Sequence, residues 1–374
     1  MTEGMNKVEN KNTPKKEDVI ALFQKGNRLF KSNRLAEALE IFESGLQQAP
    51  SSPYFLTGLG DVHRKLNNHR QAVGYYEKVL NQKPRNLFAL RGMGDALREL
   101  NEQDAAIDCW EKYLRQRPSD IFVLTRIANS YKLLGDNEKS ESYFQKALKV
   151  RPEDRFALLG LADLYHKTGR PDEAILFYEK VLATGVELIN VLTMVGNLYW
   201  QKQEFEKSKV FFERAVAQEP YNPYALYGLG NYYRFQGNHH HAITMWERIL
   251  EKGEGTVNMH SRLGDAYRKV GNVEAAERTY RRILEKSYDK YALIGLTRLH
   301  CEQDRFEEAS TLFKELLHKE KNDPRFIPEL GNLIRESCTP DTADSFCREL
   351  LNTPDISDEA RDRLKTLIAG PAQR

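Results

Sequence analysis

Residues 53–84 read PYFLTGLGDVHRKLNNHRQAVGYYEKVLNQKP, and residues 87–118 read LFALRGMGDALRELNEQDAAIDCWEKYLRQRP. Offset by 34, Leu56 meets Leu90, Gly60 meets Gly94, Asp61 meets Asp95 and Arg64 meets Arg98. Further on, Ala72 meets Ala106, Tyr76 meets Trp110 and Pro84 meets Pro118. Self-similarity at a fixed step of this size marks a repeat architecture, and it outranks every other signal.

The register extends in both directions. A small residue recurs as Ala38, Ala72, Ala106, Ser140, Ala174, Ser208, Ala242, Ala276, Ala309 and Ala343. An aromatic follows four residues later as Phe42, Tyr76, Trp110, Phe144, Tyr178, Phe212, Trp246, Tyr280 and Phe313, with Cys347 in the tenth unit. Twelve residues before each small residue lies a second one, as in Gly26, Gly60, Ala128, Gly196 and Gly264; Thr297 is the largest occupant. Units therefore begin near 19, 53, 87, 121, 155, 189, 223, 257, 290 and 324, and positions are counted from these starts. Apolar positions four, seven and eleven have helical spacing. Gly135, Gly169, Gly237 and Gly271, or Asn33, Asn67 and Asn101, then break the helix, being residues that reach positive φ cheaply. A second amphipathic helix follows. Small residues on both helices let them cross closely, and the aromatic fills the space beside that crossing. Pro50, Pro84, Pro118, Pro152 and Pro220 stop the second helix in five units.

This order of small residue, aromatic and proline resembles the tetratricopeptide repeat, whose period is ~34 residues. The resemblance covers about residues 19–352. It implies an all-α fold, an alpha-alpha superhelix in which the first helix of each pair lines a groove. Residues 1–18 are read as a disordered polar tail. Residues 355–370 hold a capping helix, with Ala360, Leu364, Leu367 and Ile368 on one face. Irregular unit ends near 185, 254 and 288 are read as drift in tolerant loops, with Gly253 and Gly255 as the first hinge candidates.

Composition agrees with a soluble array. The chain has 374 residues, 29% charged and 40% apolar, and 56 Lys+Arg against 54 Asp+Glu gives a net of +2. Such balance gives no general pull toward nucleic acid or acidic lipid. Four cysteines without CxxC spacing suggest a reducing, cytoplasmic compartment. No apolar run reaches the ~18 residues of a membrane span.

The groove should be lined by positions two, five, nine, twelve and thirteen. Position two gives an aromatic row that includes Tyr54, Phe88, Phe122, Phe156 and Tyr224. Position nine gives Asp61, Asp95, Asn129, Asn197, Asn231 and Asp265, and position twelve gives Arg64, Arg98, Lys132, Arg234 and Arg268. Arg91 stands at position five. Asn serves a peptide backbone, Arg and Lys take carboxylates, and rings give flat apolar contact. Two structural alternatives stand beside this reading. Asp at nine and Arg at twelve can pair at i, i+3, and the aromatic row can pack against the preceding helix pair. A Lys/Asn clamp for a C-terminal carboxylate, known in some family members, is incomplete, because its lysine would fall on Phe23, Thr57 or Arg91.

No catalytic signature accompanies the repeats. His239-His240-His241 falls between two helices and reads as a solvated turn rather than a metal site. His63 and His166 read as half-buried, and Cys109 and Cys301 as helix-packing residues. No phosphate-binding loop or nucleophile elbow occurs. The expected function is a non-catalytic scaffold, without cofactor or metal, that binds an extended or helical segment of a protein partner. The alternatives are RNA binding through a helical repeat, and self-assembly into a homo-oligomer or larger complex.

Overall fold

The structure, a computed structural model, describes residues 16–320 apart from 254, together with 343–345, 348, 351, 352, 358, 361, 362 and 365. Most of the tenth unit and of the expected capping helix lies outside the described residues, as does the N-terminal tail up to residue 15. Helix follows helix, and no strand occurs among the described residues.

Two compact units divide at Val186 and Glu187, where the fifth repeat ends irregularly. The first contains five pairs: α1 (Lys16–Lys31) with α2 (Leu35–Gln48), α3 (Pro53–Lys65) with α4 (His69–Gln82), α5 (Leu87–Glu99) with α6 (Gln103–Leu114), α7 (Ile121–Leu134) with α8 (Asn137–Val150), and α9 (Arg155–Lys167) with α10 (Pro171–Ala183). The second contains α11 (Ile189–Gln201) with α12 (Phe205–Gln218), α13 (Pro223–Phe235) with α14 (His239–Leu250), α15 (Val257–Lys269) with α16 (Val273–Lys286), and α17 (Lys290–Glu302) with α18 (Phe306–Glu320).

Each pair turns on position fifteen. Gly135, Gly169, Gly237 and Gly271 have φ of 71–82°, and Asn33, Asn67 and Asn101 have φ of 60–63°. Gln203 and Asp304 hold the same place at 61° and 56°, although neither residue type announces a left-handed turn. The geometry persists because the turn satisfies the helix end. The next N–H reaches back five residues in every described pair, as in Asn68 to the His63 carbonyl at 2.8 Å and Arg305 to the His300 carbonyl at 2.9 Å. That bond satisfies a carbonyl the ended helix would leave open. Second helices then start on side-chain caps in several pairs. Asp136, Asn238 and Asn272 accept from Lys139, His241 and Ala275. The three histidines expected in a turn therefore form the first turn of α14.

The aromatic at position twenty-four is the centre of each pair. Tyr76 is fully buried. A Cβ on Gly60 of its own unit would lie 2.6 Å from the ring, and one on Gly92 of the next unit 2.5 Å. The ring thus sits between two first helices and needs a bare backbone on each side. Phe42 stands likewise between Gly26 and Gly58, Phe212 between Gly196 and Gly228, and Tyr280 between Gly264 and Gly295. Where the small residue of the second helix is serine, its hydroxyl is satisfied across the same crossing. Ser140 donates to the Ala128 carbonyl and Ser208 to the Gly196 carbonyl, both at 2.8 Å.

The sixth position decides how near successive first helices come. The nearest are α1/α3, α3/α5 and α7/α9 in the first unit, and α11/α13 and α15/α17 in the second. In all five the later helix carries glycine there: Gly58, Gly92, Gly160, Gly228 and Gly295. The helices α7 and α15 carry Arg126 and Arg262 instead, and each follows a unit whose central ring is tryptophan, Trp110 or Trp246.

Overfilling the ring contact is the sharpest test of this packing. Gly60→Val should cost about 1–3 kcal/mol. Gly74→Ala, on α4 with nothing within 4 Å of its Cβ, should instead add about 0.5–1 kcal/mol. Urea midpoints of the two variants should move in opposite directions.

Candidate partner-binding face

First helices turn their second-position rings to solvent. In the first unit Tyr54, Phe88, Phe122 and Phe156 are 55–77% exposed, and in the second Tyr224 and Tyr291 are 71% and 66% exposed. These positions do not fill the core. Tyr54 alone of the first four leans on a neighbouring ring, that of Phe23, at 5.2 Å.

Position nine differs from the i, i+3 expectation. Asp61 and Arg64 are 3.8 Å apart, a loose pair. The closer partner of Asp61 is the Tyr76 hydroxyl on the second helix, which donates at 2.7 Å. Tyr178 donates to Asp163 at 2.7 Å and Tyr280 to Asp265 at 2.6 Å. Burial raises the Asp61 pKa, and the tyrosine hydrogen bond opposes that rise. All three tyrosines are raised by burial and by their carboxylates. The sequence carried this signal unread. Tyrosine at twenty-four always faces Asp at nine, whereas Phe42, Phe144 and Phe212 face Asn27, Asn129 and Asn197. A phenylalanine offers no donor, so the carboxylate oxygen over the ring's tip would lose that hydrogen bond.

Position twelve reaches forward instead. Arg64 lies 3.8 Å from Asp95 of the next unit, and Lys132 lies 3.8 Å from Asp163. Arg98 binds the neighbouring Glu99. The Arg268 side chain is nearly buried and pairs with Glu302. Arg234 is exposed, and its pKa is lowered by burial and by Arg262. Asn129 donates to the Thr125 carbonyl at 2.9 Å, and Asn197 is exposed. His63 is buried and stacks on Tyr75, its ring pKa lowered by burial. His166 is exposed rather than half-buried.

The sixth-position arginines complete the face. Arg126 reaches back to Asp95 at 2.8 Å, and Arg262 donates to Asn231 at 2.5 Å. Between α5 and α7 this leaves an open recess of about 860 Å³. Arg64, Arg91, Arg117 and Arg126 line it with Asp61, Asp95 and Asp120, and Phe88 stands at its edge. Of these, Arg117 and Arg126 lie outside the predicted rows. Among the described residues no group of three or more His, Cys, Asp or Glu could hold a metal ion. None of the described helices is long and apolar enough to cross a membrane.

Models of the tetratricopeptide repeat match residues 23–86, 57–121, 120–185, 189–222, 227–290 and 261–325. No curated protein matches the chain. Among solved structures, the C-terminal part of a repeat-containing protein from Cytophaga hutchinsonii is 17% identical, with a TM-score of 0.57, and the match covers 63% of this chain and 97% of that one. PilW, a type IV pilus biogenesis factor, is 15% identical with a TM-score of 0.50, covering 57% and 99%. At these identities the likeness is one of fold.

The tyrosine rule predicts a compensating pair. Tyr76→Phe should cost about 0.5–1.5 kcal/mol by removing the hydroxyl donor from the half-buried Asp61 carboxylate. Adding Asp61→Asn, the combination found naturally at Asn27 and Phe42, should recover most of that loss in urea denaturation.

Proposed function

Because the chain belongs to the tetratricopeptide repeat family, we propose that it is a non-catalytic interaction scaffold whose first-helix faces hold an extended or helical segment of a protein partner. The exposed aromatic row carries this reading. Rings at 55–77% exposure, present at position two in six of the nine described repeats, hold apolar area in water unless a partner covers them. Beside them stand exposed or half-buried polar groups that serve a peptide backbone or its side chains, Arg91 and Asn129 among them. Rigid rings with adaptable polar neighbours are a combination suited to peptide capture. A cytoplasmic, reducing setting belongs to the same reading, and the free, buried Cys109 accords with it.

Nucleic acid suits the face less well. Asp61, Asp95 and Asp163 interrupt the basic positions, whereas a phosphate backbone favours an unbroken basic stripe. Replacing Phe88, Phe122 and Arg98 with Ala together should abolish partner capture in an affinity pull-down and leave the helical circular dichroism unchanged. Undiminished capture by that variant removes the face from the mechanism. Saturable binding of single-stranded RNA at low salt would favour the nucleic-acid reading.

A further inference from the structure

The recess between α5 and α7 exists because the third and fourth repeats break the glycine rule. Trp110 is the central ring of the third unit, and Arg126 takes the sixth position of α7. The guanidinium bridges back to Asp95 across a junction that α3, α5, α9, α13 and α17 meet with a glycine. Half of the residues that line the resulting pocket carry charge.

That charge is unevenly committed. Asp61 accepts from Tyr76. Asp120 accepts from the Tyr113 hydroxyl at 2.7 Å and caps α7 through the Val123 N–H. Asp95 is buried and faces Arg126 at 2.8 Å and Arg64 at 3.8 Å. Asp61 and Asp120 are thus engaged by hydroxyl donors, while Asp95 Oδ1 and Arg126 Nη1 are buried against each other as an ion pair without an aligned hydrogen bond, and Arg64 Nε is buried without one. Arg91 and Arg117 are exposed on the rim. Four guanidinium groups against three carboxylates leave one positive charge in excess, and the exposed Arg91 and Arg117 present it to solvent. Burial lowers the Arg126 pKa, Asp95 raises it, and Arg91, Arg98 and Arg64 lower it again, a mark of crowded cations. The surrounding face has the same sign. The helices α3, α5, α7 and α9 each carry two Lys or Arg, against Asp61, Asp95, Glu99 and Asp163 in total.

We propose that this recess receives a side-chain carboxylate from an acidic, aromatic-bearing segment of the protein partner, held by Arg64, Arg91 and Arg126, with the segment's neighbouring apolar side chain resting on Phe88. This rests on the scaffold reading above and narrows its partner to one chemistry. A single carboxylate closes the single excess charge, and guanidinium forks match its two oxygens. A phosphate dianion or a nucleic-acid backbone would bring further negative charge against Asp61, Asp95 and Asp120. Phe88 is 77% exposed at the recess edge, so a ring or branched aliphatic group beside the acid gains apolar contact at the same step.

The test is peptide display. The full chain is used to select from a random library, in parallel with an Arg91→Gln/Arg117→Gln variant whose altered side chains are both exposed. The expected result is enrichment of Glu or Asp beside Phe, Tyr, Trp or Leu, lost with the variant. Changing the acid of the most enriched peptide to Gln should weaken binding to the parent chain about tenfold. Enriched peptides without acids, or ones the variant binds equally, overturn the recess assignment and leave the scaffold reading standing. Tighter binding of a peptide carrying phosphoserine in place of the acid also overturns it. A parent dimer in light scattering that the variant abolishes would make the recess a contact between copies and overturn the proposal. No enriched peptide at all, with or without binding of labelled oligouridylate, overturns both readings.

Discussion

One contact sets the rest of this molecule: a buried ring pressed between the backbones of two first helices. Tyr76 between Gly60 and Gly92 shows it most plainly. The contact fixes three helices at once, because the ring arrives from the second helix of its own pair. Burying a ring of this size also supplies much of the apolar gain available to a short repeat. Each pair therefore packs on its neighbours within its unit, and the apolar fraction of 40% suffices because such a core is thin.

The face that meets solvent follows from the same contact. With positions six and eight held against rings, position two must turn away from the core, and its aromatic side chains are exposed. Position nine lies over the ring's tip, so its identity answers to the ring: Asp where a tyrosine hydroxyl can donate, Asn where a phenylalanine cannot. Polar rows that look like ligand-reading residues are in part hydrogen-bond satisfaction for the core. The tryptophan units are the exception. There the glycine is replaced by arginine, and at the first of them, after Trp110, a charged recess opens between α5 and α7.

The helix pairs, the turns and the central rings were legible in the sequence because they depend on local spacing. Position fifteen is readable where Gly or Asn stands, and less so at Gln203 and Asp304, whose left-handed turns are held by the backbone bond that closes the helix end. The aspartate row was misread for a physical reason. Its partner lies fifteen residues away on another helix, while helical geometry drew attention to an arginine three residues away. Arg126 and Arg262 were missed because a single arginine on a helix looks like surface. Only alignment of all units at position six shows that each replaces a glycine after a tryptophan.

The ring contact also changes what counts as one interchangeable piece of this chain. Its partners straddle the boundary between successive repeats, so a 34-residue segment cut at the sequence register would separate Tyr76 from Gly92, or Trp110 from Arg126. The segment that carries its own fit begins at the eighth position of one first helix and ends at the sixth position of the next, as from Gly60 through Tyr76 to Gly92. Recombination or graft experiments that exchange such out-of-phase blocks would move ring and socket together. Exchange in phase would put a phenylalanine's glycine opposite a tryptophan, or an arginine opposite a ring that leaves it no room.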